Sequence, residues 1–361
     1  MENKRTCLYN RHIALGALMQ PFAGFDMPIQ YTSIIEEHNA VRQHCGVFDV
    51  SHMGEVFITG KDAERFVNYI YTNDVTGAPI NQIFYGMMLY PDGGTVDDLL
   101  IYKMGENNFF LVINAANIDK DVAWIRQNAE GFDIEINHCS DEYAQLAVQG
   151  PEAETVMEEV LHLPCKELAF YQTKSLNVEG KYNVIVSRTG YTGEDGFEIY
   201  GTPAFIVKAW DTLINSKRCK PCGLGCRDTL RFEAGLPLYG MELTKDISPV
   251  MAALSIFCKL DKPSFIGKEA IVKQKAEKPK QKIIGLELKD KAIPRHGYAV
   301  MKDGKQVGVV TTGYHSISLD KSLAFALVDL EYSKLGTELE IQIRKKTHPC
   351  IVVKKRFLNK H

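Results

Sequence analysis

The spacing of apolar and polar residues predicts short strands that alternate with helices in the first part of the chain. Ser33 and Glu36 fit a capping box, so we expect a helix over residues 34–45 that stops at Gly46. The residues that follow are rich in β formers and then take up a helical period, which predicts a strand at 47–60 and a short helix at 61–71. The inward face of that helix should carry Phe66, Val67 and Ile70.

Later segments predict a β-meander, more helices and a β-rich C-terminal part. The meander has strands at 84–90, 96–102 and 109–113, and Asn117 should cap a helix at 118–128. Strands at 182–186 and 197–200 are followed by helices at 203–216 and 226–234. The lysine-rich stretch 273–282 has no apolar period and predicts a linker, and the short alternating runs from Ile283 onward predict a small β-barrel.

Length and composition narrow the class of protein. A chain of 361 residues suggests two or three domains, and 45% hydrophobic with 24% charged residues is typical of a globular protein. A net charge of -3 indicates neither nucleic acid nor an anionic membrane as partner. No apolar run is long enough to span a bilayer, and the start of the chain has no signal-like segment, so we expect a cytoplasmic protein.

The glycine-rich stretch 187–198, with the letters SRTGYTGEDGFE, is the most informative part of the sequence. Its glycines allow close approach of the backbone to a ligand, while Tyr191 and Glu198 supply a flat apolar face and a carboxylate acceptor. This is compatible with one wall of a small-molecule site. A long polar surface loop is the alternative interpretation of the same residues.

Two aspartates follow the Gly93-Gly94 turn on the next predicted strand. Side chains alternate along a strand, so Asp98 should point with Val96 and Leu100, and Asp97 with Leu99 and Ile101. One carboxylate must then share an apolar face, where burial favours its protonated form and marks a candidate functional group. The alternative is that both aspartates only cap the turn.

Two further groups have both a functional and a structural interpretation. Arg227 and Arg231 lie four residues apart on one helix face and could bind a carboxylate or a ring carbonyl, or could pair with nearby acidic residues in a structural network. The cysteines at 219, 222 and 226 have the two-residue gap of a zinc site but lack a full ligand set, so we expect no metal there.

Taken together, these segments resemble the glycine cleavage T-protein family, the tetrahydrofolate-dependent aminomethyltransferases. The resemblance covers nearly the whole chain, and its motifs stand in family order. They are FAGFDMP (22–28), DVSHM (49–53), the glycines and aspartates of 93–98, VINA (112–115), QGP (149–151), the stretch 187–198, GCRD (225–228), LYG (238–240) and FIGKEA (265–270).

The resemblance implies an α+β fold. Three domains would form a ring around a central folate channel, with antiparallel sheets in two mixed α/β domains and a C-terminal β-barrel. The first domain would be discontinuous, at residues 1–48 and 140–245, and interrupted by a second at 49–139 that carries the catalytic aspartate. A connecting segment at 246–282 and the barrel at 283–361 would complete the chain.

The resemblance also implies the reaction. An aminomethyl group on the dihydrolipoyl arm of the carrier H-protein would pass to tetrahydrofolate, giving 5,10-methylenetetrahydrofolate, ammonia and the dihydrolipoyl carrier. Asp98 matches the family's catalytic aspartate. The residues that match folate contacts or line the same pocket are Tyr85, Tyr191, Glu198, Arg227, Met53, Val112 and Asn114.

Two alternatives use a similar fold. One is a non-catalytic folate-binding accessory factor in iron–sulfur cluster assembly. Members of that group resemble one another in a Lys-Gly-Cys-Tyr-x-Gly-Gln motif, whereas this chain has Phe-Ile-Gly-Lys at residues 265–268 and lacks the cysteine. The other is the folate half of a flavin-dependent demethylase, which would require a flavin domain. The intact Gly-Gly-x-x-Asp-Asp motif favours the aminomethyltransferase.

Overall fold

The computed structural model describes residues 2–358. In chain order, the strands are β1 (Lys4–Arg5), β2 (Leu18–Phe22), β3 (Phe25–Gln30), β4 (Gly46–Asp49), β5 (Gly54–Thr59), β6 (Ile83–Leu89), β7 (Thr95–Gly105), β8 (Asn108–Ile113), β9 (Glu135–His138), β10 (Ala144–Gln149), β11 (Thr173–Val178), β12 (Tyr182–Ser187), β13 (Gly196–Gly201), β14 (Lys220–Pro221), β15 (Gln281–Leu288), β16 (Ala299–Lys302), β17 (Lys305–Ser316), β18 (Lys321–Asp329), β19 (Glu338–Ile343) and β20 (Lys346–Val353). The helices are α1 (Tyr9–Ala14), α2 (Ile34–Gln43), α3 (Ala63–Ile70), α4 (Ile118–Gln127), α5 (Ala153–Glu159), α6 (Pro203–Ser216), α7 (Leu224–Ala234) and α8 (Lys268–Glu277). Short 3-10 helices lie at Ala115–Asn117, Ser255–Phe257 and Leu330–Tyr332.

The chain divides into two compact units. The first contains the residues up to Asn68 together with Val75–Tyr85 and Leu99–Leu230. The second contains Tyr69–Asp74, Gly86–Asp98 and the chain from Arg231 onward. The elements α3, β6, β7 and α7 therefore run from one unit into the other.

The first unit is built on a six-stranded sheet with the order β11-β12-β13-β10-β4-β14. Its central strands β4, β10 and β13 are buried along their whole length, and β10 pairs antiparallel with both neighbours. Helix α6 packs on this sheet through Phe205, Ile206, Ala209, Trp210 and Leu213, which recur at helical spacing. Because both faces of these strands are covered, their side chains are held in fixed directions.

A second sheet has the order β6-β7-β8-β5-β9 and contains the predicted meander. Within the first unit, residues of this sheet pack with residues of β12 and β13 in a buried group that we call the aromatic cluster. The cluster consists of Ile83, Tyr102, Phe110, Val112, Ile185 and Tyr200, with Met53, Phe57 and Tyr143 packed against it.

The second unit contains a closed barrel with the strand order β15-β18-β17-β16-β19-β20. Its interior is aliphatic, and Leu286, Val310 and Ile341 are fully buried there. Near the barrel, Arg231 donates to Glu242 at 2.9 Å, and Thr311 and Thr312 also donate to Glu242. An α+β fold with a C-terminal β-barrel is therefore confirmed.

Several local expectations are confirmed. Ser33 caps α2 by accepting from the Glu36 amide at 3.2 Å, and α6 has the predicted bounds. The inward residues of α3 are fully buried, at Phe66 and Val67, or nearly so, at Ile70.

Other local expectations are wrong. Helix α2 ends at Gln43, and Gly46 begins β4 because that strand needs a residue without a side chain: a Cβ there would lie 2.5 Å from Val41. Asn117 makes no side-chain cap bond to α4. The first half of the stretch predicted as a linker, residues 273–277, is part of helix α8, whose buried residue is Ile271, and its last two residues begin β15. The predicted discontinuous domain division stays a prediction.

Candidate functional site

The glycine-rich stretch forms a tightly held loop between β12 and β13. Gln149, on the neighbouring strand β10, donates to the Thr189 carbonyl at 3.1 Å and accepts from the Thr192 hydroxyl at 2.8 Å. A Cβ on Gly190 would come within 2.0 Å of the Gln149 side chain, so only glycine allows this contact. Gly193 has a φ of +77°, which favours glycine for a second reason. These contacts favour a built wall over a loose surface loop.

Glu198 lies on β13 at the base of this loop and is 6% exposed. Its two carboxylate oxygens accept from Gln145 Nε2 at 3.0 Å and from the Thr189 hydroxyl at 2.6 Å. Burial raises the pKa of the Glu198 carboxyl, and the hydrogen bond from Thr189 and the charge of Arg227 only partly oppose the shift. The carboxylate is thus held in place and has lone pairs left for a ligand.

A chain of hydroxyl groups supports this carboxylate from the sheet interior. Tyr200 accepts from Gln145 Nε2 at 3.1 Å, and its hydroxyl lies 2.8 Å from that of Tyr102. The Tyr102 hydroxyl lies 3.2 Å from Ser187 Oγ, which is 2.8 Å from the Thr189 hydroxyl. The chain leads back to Glu198 through Thr189, so every member fixes the orientation of the next.

Arg227 lies on α7, and its guanidinium stacks on the ring of Tyr191. Its guanidinium carbon lies 4.8 Å from the centre of the Tyr191 ring. Burial lowers the pKa of Arg227, although Glu198 and Tyr191 oppose the shift by favouring the charge. The Nη1 atom is shielded from solvent and has no hydrogen-bond partner among residues 2–358. A buried guanidinium donor without a partner is costly unless a ligand accepts from it.

The turn between β4 and β5 is anchored by a buried polar network. The Asp49 carboxylate contacts His12 Nε2 at 2.9 Å, accepts from the Thr6 hydroxyl at 2.7 Å and accepts from the Ser51 amide at 2.9 Å. Tyr31 in turn lies 2.8 Å from His12 Nδ1. This network fixes the direction in which the following two residues, His52 and Met53, leave the strand.

His52 is a buried neutral imidazole. Its ring makes edge contacts with Phe22 and Phe25, and Nδ1 has no partner within the described chain. Burial lowers the pKa of His52 to about 4; Asp49 opposes the shift and Arg227 adds to it. This residue therefore carries no charge at neutral pH and does not compete with Arg227 for an anion.

Two of the predicted pocket residues belong to or pack against the aromatic cluster, and a third lies on the same strand face as one of its members. Met53 packs against the cluster, and Val112 is part of it. Tyr85 lies two residues after Ile83 on β6, so its side chain leaves the strand on the same face as that cluster residue. Asn114 directly follows β8 and begins the short helix Ala115–Asn117.

The first unit thus brings two sets of predicted residues to its central sheet. Glu198, Arg227 and Tyr191 form one set through their charges and ring contact. Met53 and Val112 form another, which Tyr200 connects to Gln145 and Glu198.

The second unit carries the two aspartates. In β7, Asp97 is fully buried, as are Leu99 and Ile101, while Asp98 and Leu100 are partly exposed. Burial alternates as expected from Asp97 to Ile101, whereas Val96, predicted on the face of Asp98, is fully buried. Asp98 is the more accessible carboxylate. Arg231, also in this unit, pairs with Glu242 and belongs to a structural network.

Sequence reasoning missed Gln145, Thr189 and Tyr200. Gln145 and Gln149 are the two polar residues of the otherwise apolar strand β10, and a polar residue in such a strand is the signal that could have identified Gln145. The Thr189 hydroxyl reaches Glu198 across the β12–β13 hairpin, in which Ser187 stands opposite Glu198. The Tyr200 hydroxyl reaches Gln145 through the pairing of β10 with β13, which no local pattern shows.

The cysteines form no metal site within the described chain. Cys45 and Cys219 are buried with their sulfur atoms 3.2 Å apart, and both remain thiols. Residues 2–358 contain no group of three or more His, Cys, Asp or Glu that could hold a metal ion. Over the same residues, no helix has the length and apolar character needed to cross a membrane.

Comparison with known proteins matches the chain from end to end. Residues 8–262 match the GCVT N-terminal domain, and residues 281–359 match the glycine cleavage T-protein C-terminal barrel domain. An aminomethyltransferase of Alkaliphilus oremlandii is 50% identical over 359 residues, covering 99% of this chain and 98% of the relative. An aminomethyltransferase of Thermoanaerobacter pseudethanolicus is 46% identical over 365 residues, covering 100% of this chain and 99% of the relative.

A solved structure is similar in fold along the same length. The crystal structure of glycine cleavage system aminomethyltransferase T from Bartonella henselae superposes with a TM-score of 0.94 at 32% identity. The match covers 98% of each chain.

Proposed function

The chain belongs to the glycine cleavage T-protein family, and we propose that it acts as the aminomethyltransferase of the glycine cleavage system, with tetrahydrofolate and a lipoylated carrier as its partners. The observation that carries the activity is 50% identity to an aminomethyltransferase over 99% of the chain. In the proposed reaction, the aminomethyl carbon leaves the dihydrolipoyl arm of the H-protein and joins tetrahydrofolate. The products are 5,10-methylenetetrahydrofolate, ammonia and the dihydrolipoyl carrier.

The residues around Glu198 suit the pterin part of tetrahydrofolate. A pterin is a flat ring with an aminopyrimidine edge that donates hydrogen bonds, and Glu198 is a fixed carboxylate acceptor. Tyr191 offers a flat apolar face, and the unpartnered Nη1 of Arg227 can donate to a carbonyl or a carboxylate. We assign pocket-lining roles to Tyr85, Met53, Val112 and Asn114 on the strength of the family motifs.

We assign the catalytic role to Asp98. Tetrahydrofolate supplies the nitrogens that accept the one-carbon unit. A carboxylate at Asp98 can stabilise the positive charge that develops on the transferred carbon as ammonia leaves, and can orient the accepting nitrogen. Its partial exposure agrees with this role, because a group that meets substrate must be reachable, whereas Asp97 is fully buried.

A lipoyl arm is a chemically suitable donor. The carbon to be transferred lies between sulfur and nitrogen on that arm, so it can develop positive charge without prior oxidation. A free methylamine donor would need an oxidant to reach the same state. Docking of the carrier can be transient and can use a modest, partly polar interface.

The accessory role in iron–sulfur cluster assembly is not favoured. The relatives that match this chain over nearly its full length at 46–50% identity are named aminomethyltransferases. The cytoplasm remains our expected compartment, which cell fractionation with a tagged chain would test.

Release of ammonia tests the proposal. The purified chain is mixed with tetrahydrofolate and an aminomethylated lipoyl carrier, and ammonia is measured over time, with the carrier alone as the background. We expect release well above that background. Efficient use of glycine, sarcosine or dimethylglycine without any carrier would contradict the assignment of the donor and would favour demethylase chemistry.

A further inference from the structure

Gln145 has an amide whose orientation is set by its neighbours. Its Nε2 donates to Glu198 Oε1 at 3.0 Å and to the Tyr200 hydroxyl at 3.1 Å. A ligand that donates N–H bonds to Glu198 holds it in its ionised form, and an ionised carboxylate can only accept hydrogen bonds, so in that state the amide turns its NH2 group toward Glu198. The amide oxygen, Oε1, therefore points away from the carboxylate.

That oxygen is buried and unsatisfied. Gln145 is 1% exposed, and Oε1 has no donor within reach among residues 2–358. Most buried polar atoms in proteins are hydrogen-bonded, and one without a partner calls for a specific explanation. An unmet acceptor next to a fixed carboxylate is what a site looks like when the ligand supplies the missing donor.

Gln149 provides a comparison, because it is a second buried glutamine whose amide makes its hydrogen bonds within the protein. It lies four residues along the same strand and on the same face, and it is also fully buried. Its Nε2 donates to the Thr189 carbonyl at 3.1 Å, and its Oε1 accepts from the Thr192 hydroxyl at 2.8 Å. Both ends of the Gln149 amide are paired within the protein, whereas the oxygen of Gln145 is not.

The unpaired oxygen lies beside the proposed pterin site. In the pairing of β10 with β13, Ala147 stands opposite Glu198 and Gln145 opposite Tyr200, so the two side chains leave the sheet one step apart on one face. The Nη1 atom of Arg227, which interacts electrostatically with Glu198, is a second buried polar atom without a partner. Two side chains with an unsatisfied polar atom, one from β10 and one from α7, thus interact with the same carboxylate.

We propose that Gln145 contacts the ligand directly and forms, with Glu198, a pair of acceptors for a ring that carries an amino group next to a ring N–H. This inference rests on the proposed function, since the aminopyrimidine edge of tetrahydrofolate is such a ring. Glu198 accepts one N–H and Gln145 Oε1 accepts another. Gln145 is therefore a specificity-determining residue that selects the 2-amino ring over rings that lack this donor.

The test is a ratio of dissociation constants. Binding of tetrahydrofolate and of an analogue with a methyl group in place of the 2-amino group is measured by titration calorimetry under reducing, oxygen-free conditions. The wild-type protein should bind the analogue roughly ten- to a hundredfold more weakly, the usual effect of an unpaired acceptor in a binding site. In Gln145→Met the ratio should fall severalfold, because the acceptor is gone while the side-chain volume is kept.

Two controls separate contact from support. Gln281→Met should leave the ratio unchanged, because Gln281 lies on barrel strand β15 and its Nε2 donates to Asp329 of β18 at 3.0 Å. Gln145→Met is also made together with Glu198→Ala. If Gln145 contacts the ligand, the double variant should bind tetrahydrofolate severalfold more weakly than Glu198→Ala alone. If Gln145 acts only by holding Glu198, the two variants should bind equally, and that result would overturn the inference.

The outcomes distinguish this inference from the function on which it rests. A wild-type protein that fails to bind tetrahydrofolate contradicts the proposed function itself. Binding by the wild type with the same ratio in Gln145→Met contradicts only the role of Gln145. Should Gln145→Met not fold, Gln145→Asn keeps a polar group at the buried position and withdraws the oxygen by one methylene, and the ratio should fall in the same way.

Discussion

Replacing Glu198 by glutamine should remove most of the pH dependence of tetrahydrofolate binding. In the free protein, burial raises the pKa of the Glu198 carboxyl above its ordinary value of 4.5. A ring that donates N–H bonds to this group favours its ionised form, so binding must lower its pKa. Tetrahydrofolate affinity should therefore rise with pH until Glu198 is ionised in the free protein. Glutamine has the same shape and does not titrate.

The magnitude follows from proton linkage. Where Glu198 is protonated in the free protein and ionised in the complex, binding releases one proton, and affinity changes up to about tenfold per pH unit. At higher pH the variant should still bind about 1–2 kcal/mol more weakly, because hydrogen bonds to a neutral amide are weaker than those to a carboxylate.

The same pKa shift has a consequence for stability. A raised carboxyl pKa means that the folded protein prefers the protonated form. The contribution of Glu198 to the free energy of unfolding is then fully present below the unfolded pKa of 4.5 and is lost as pH rises through the folded pKa. Glu198→Gln should lack this decline in the ligand-free protein.

Calorimetric titration over about pH 5.5 to 8, in buffers that differ in ionisation enthalpy, measures both the affinity and the protons released. Because glutamine does not titrate, any pH dependence of binding that remains in Glu198→Gln measures the titration of the ligand itself. Glu152→Gln is a matched control, since Glu152 is an exposed glutamate that contacts His44. Equal pH slopes in wild type and Glu198→Gln, or an affinity that falls as pH rises, would refute the reasoning.

Three further predictions concern other parts of the chain. Asp98→Asn should reduce turnover by roughly a hundredfold or more while tetrahydrofolate still binds, because one charge-stabilising group is lost; equal and mild losses in Asp97→Asn and Asp98→Asn would contradict the assignment. Burial lowers the pKa of His52 from 6.5 to about 4. Its contribution to the free energy of unfolding, ~3 kcal/mol, is therefore present above pH 6.5 and is lost as pH falls toward 4. Urea unfolding at several pH values should show a shallower loss of stability in His52→Phe than in the wild type. Elemental analysis of protein purified without added zinc should find no metal, and near-stoichiometric zinc that disappears when Cys219 and Cys222 are both replaced by serine would show otherwise.

The sequence predicts those elements whose signals are local. Ser33 and Glu36 mark the start of α2 because capping involves residues within one turn, and the alternation of Asp97 and Asp98 follows from strand geometry alone. The end of α2 is less predictable, since Gly46 is required by tight packing against Val41 rather than by a helix cap. Helix α8 was missed because a single residue, Ile271, provides its buried contact.

The site shows the same division between local and non-local signals. Tyr191 and Glu198 can be found because the glycines around them are unusual in sequence. Gln145 lies 53 residues from Glu198 along the chain, and the two meet only through the pairing of β10 with β13. No periodicity within either strand predicts that pairing, so the residues that hold the Glu198 carboxylate can be identified only from the three-dimensional structure.

The most direct measurement of the central claim is the product balance of a single turnover. The chain, in excess, is mixed with a lipoyl carrier that bears an isotopically labelled aminomethyl carbon, with and without tetrahydrofolate. We predict that ammonia and labelled 5,10-methylenetetrahydrofolate form in equal amounts, and that omission of tetrahydrofolate slows ammonia release to the background rate. Ammonia release that is equally fast without tetrahydrofolate, or a label that stays on the carrier, would contradict the account.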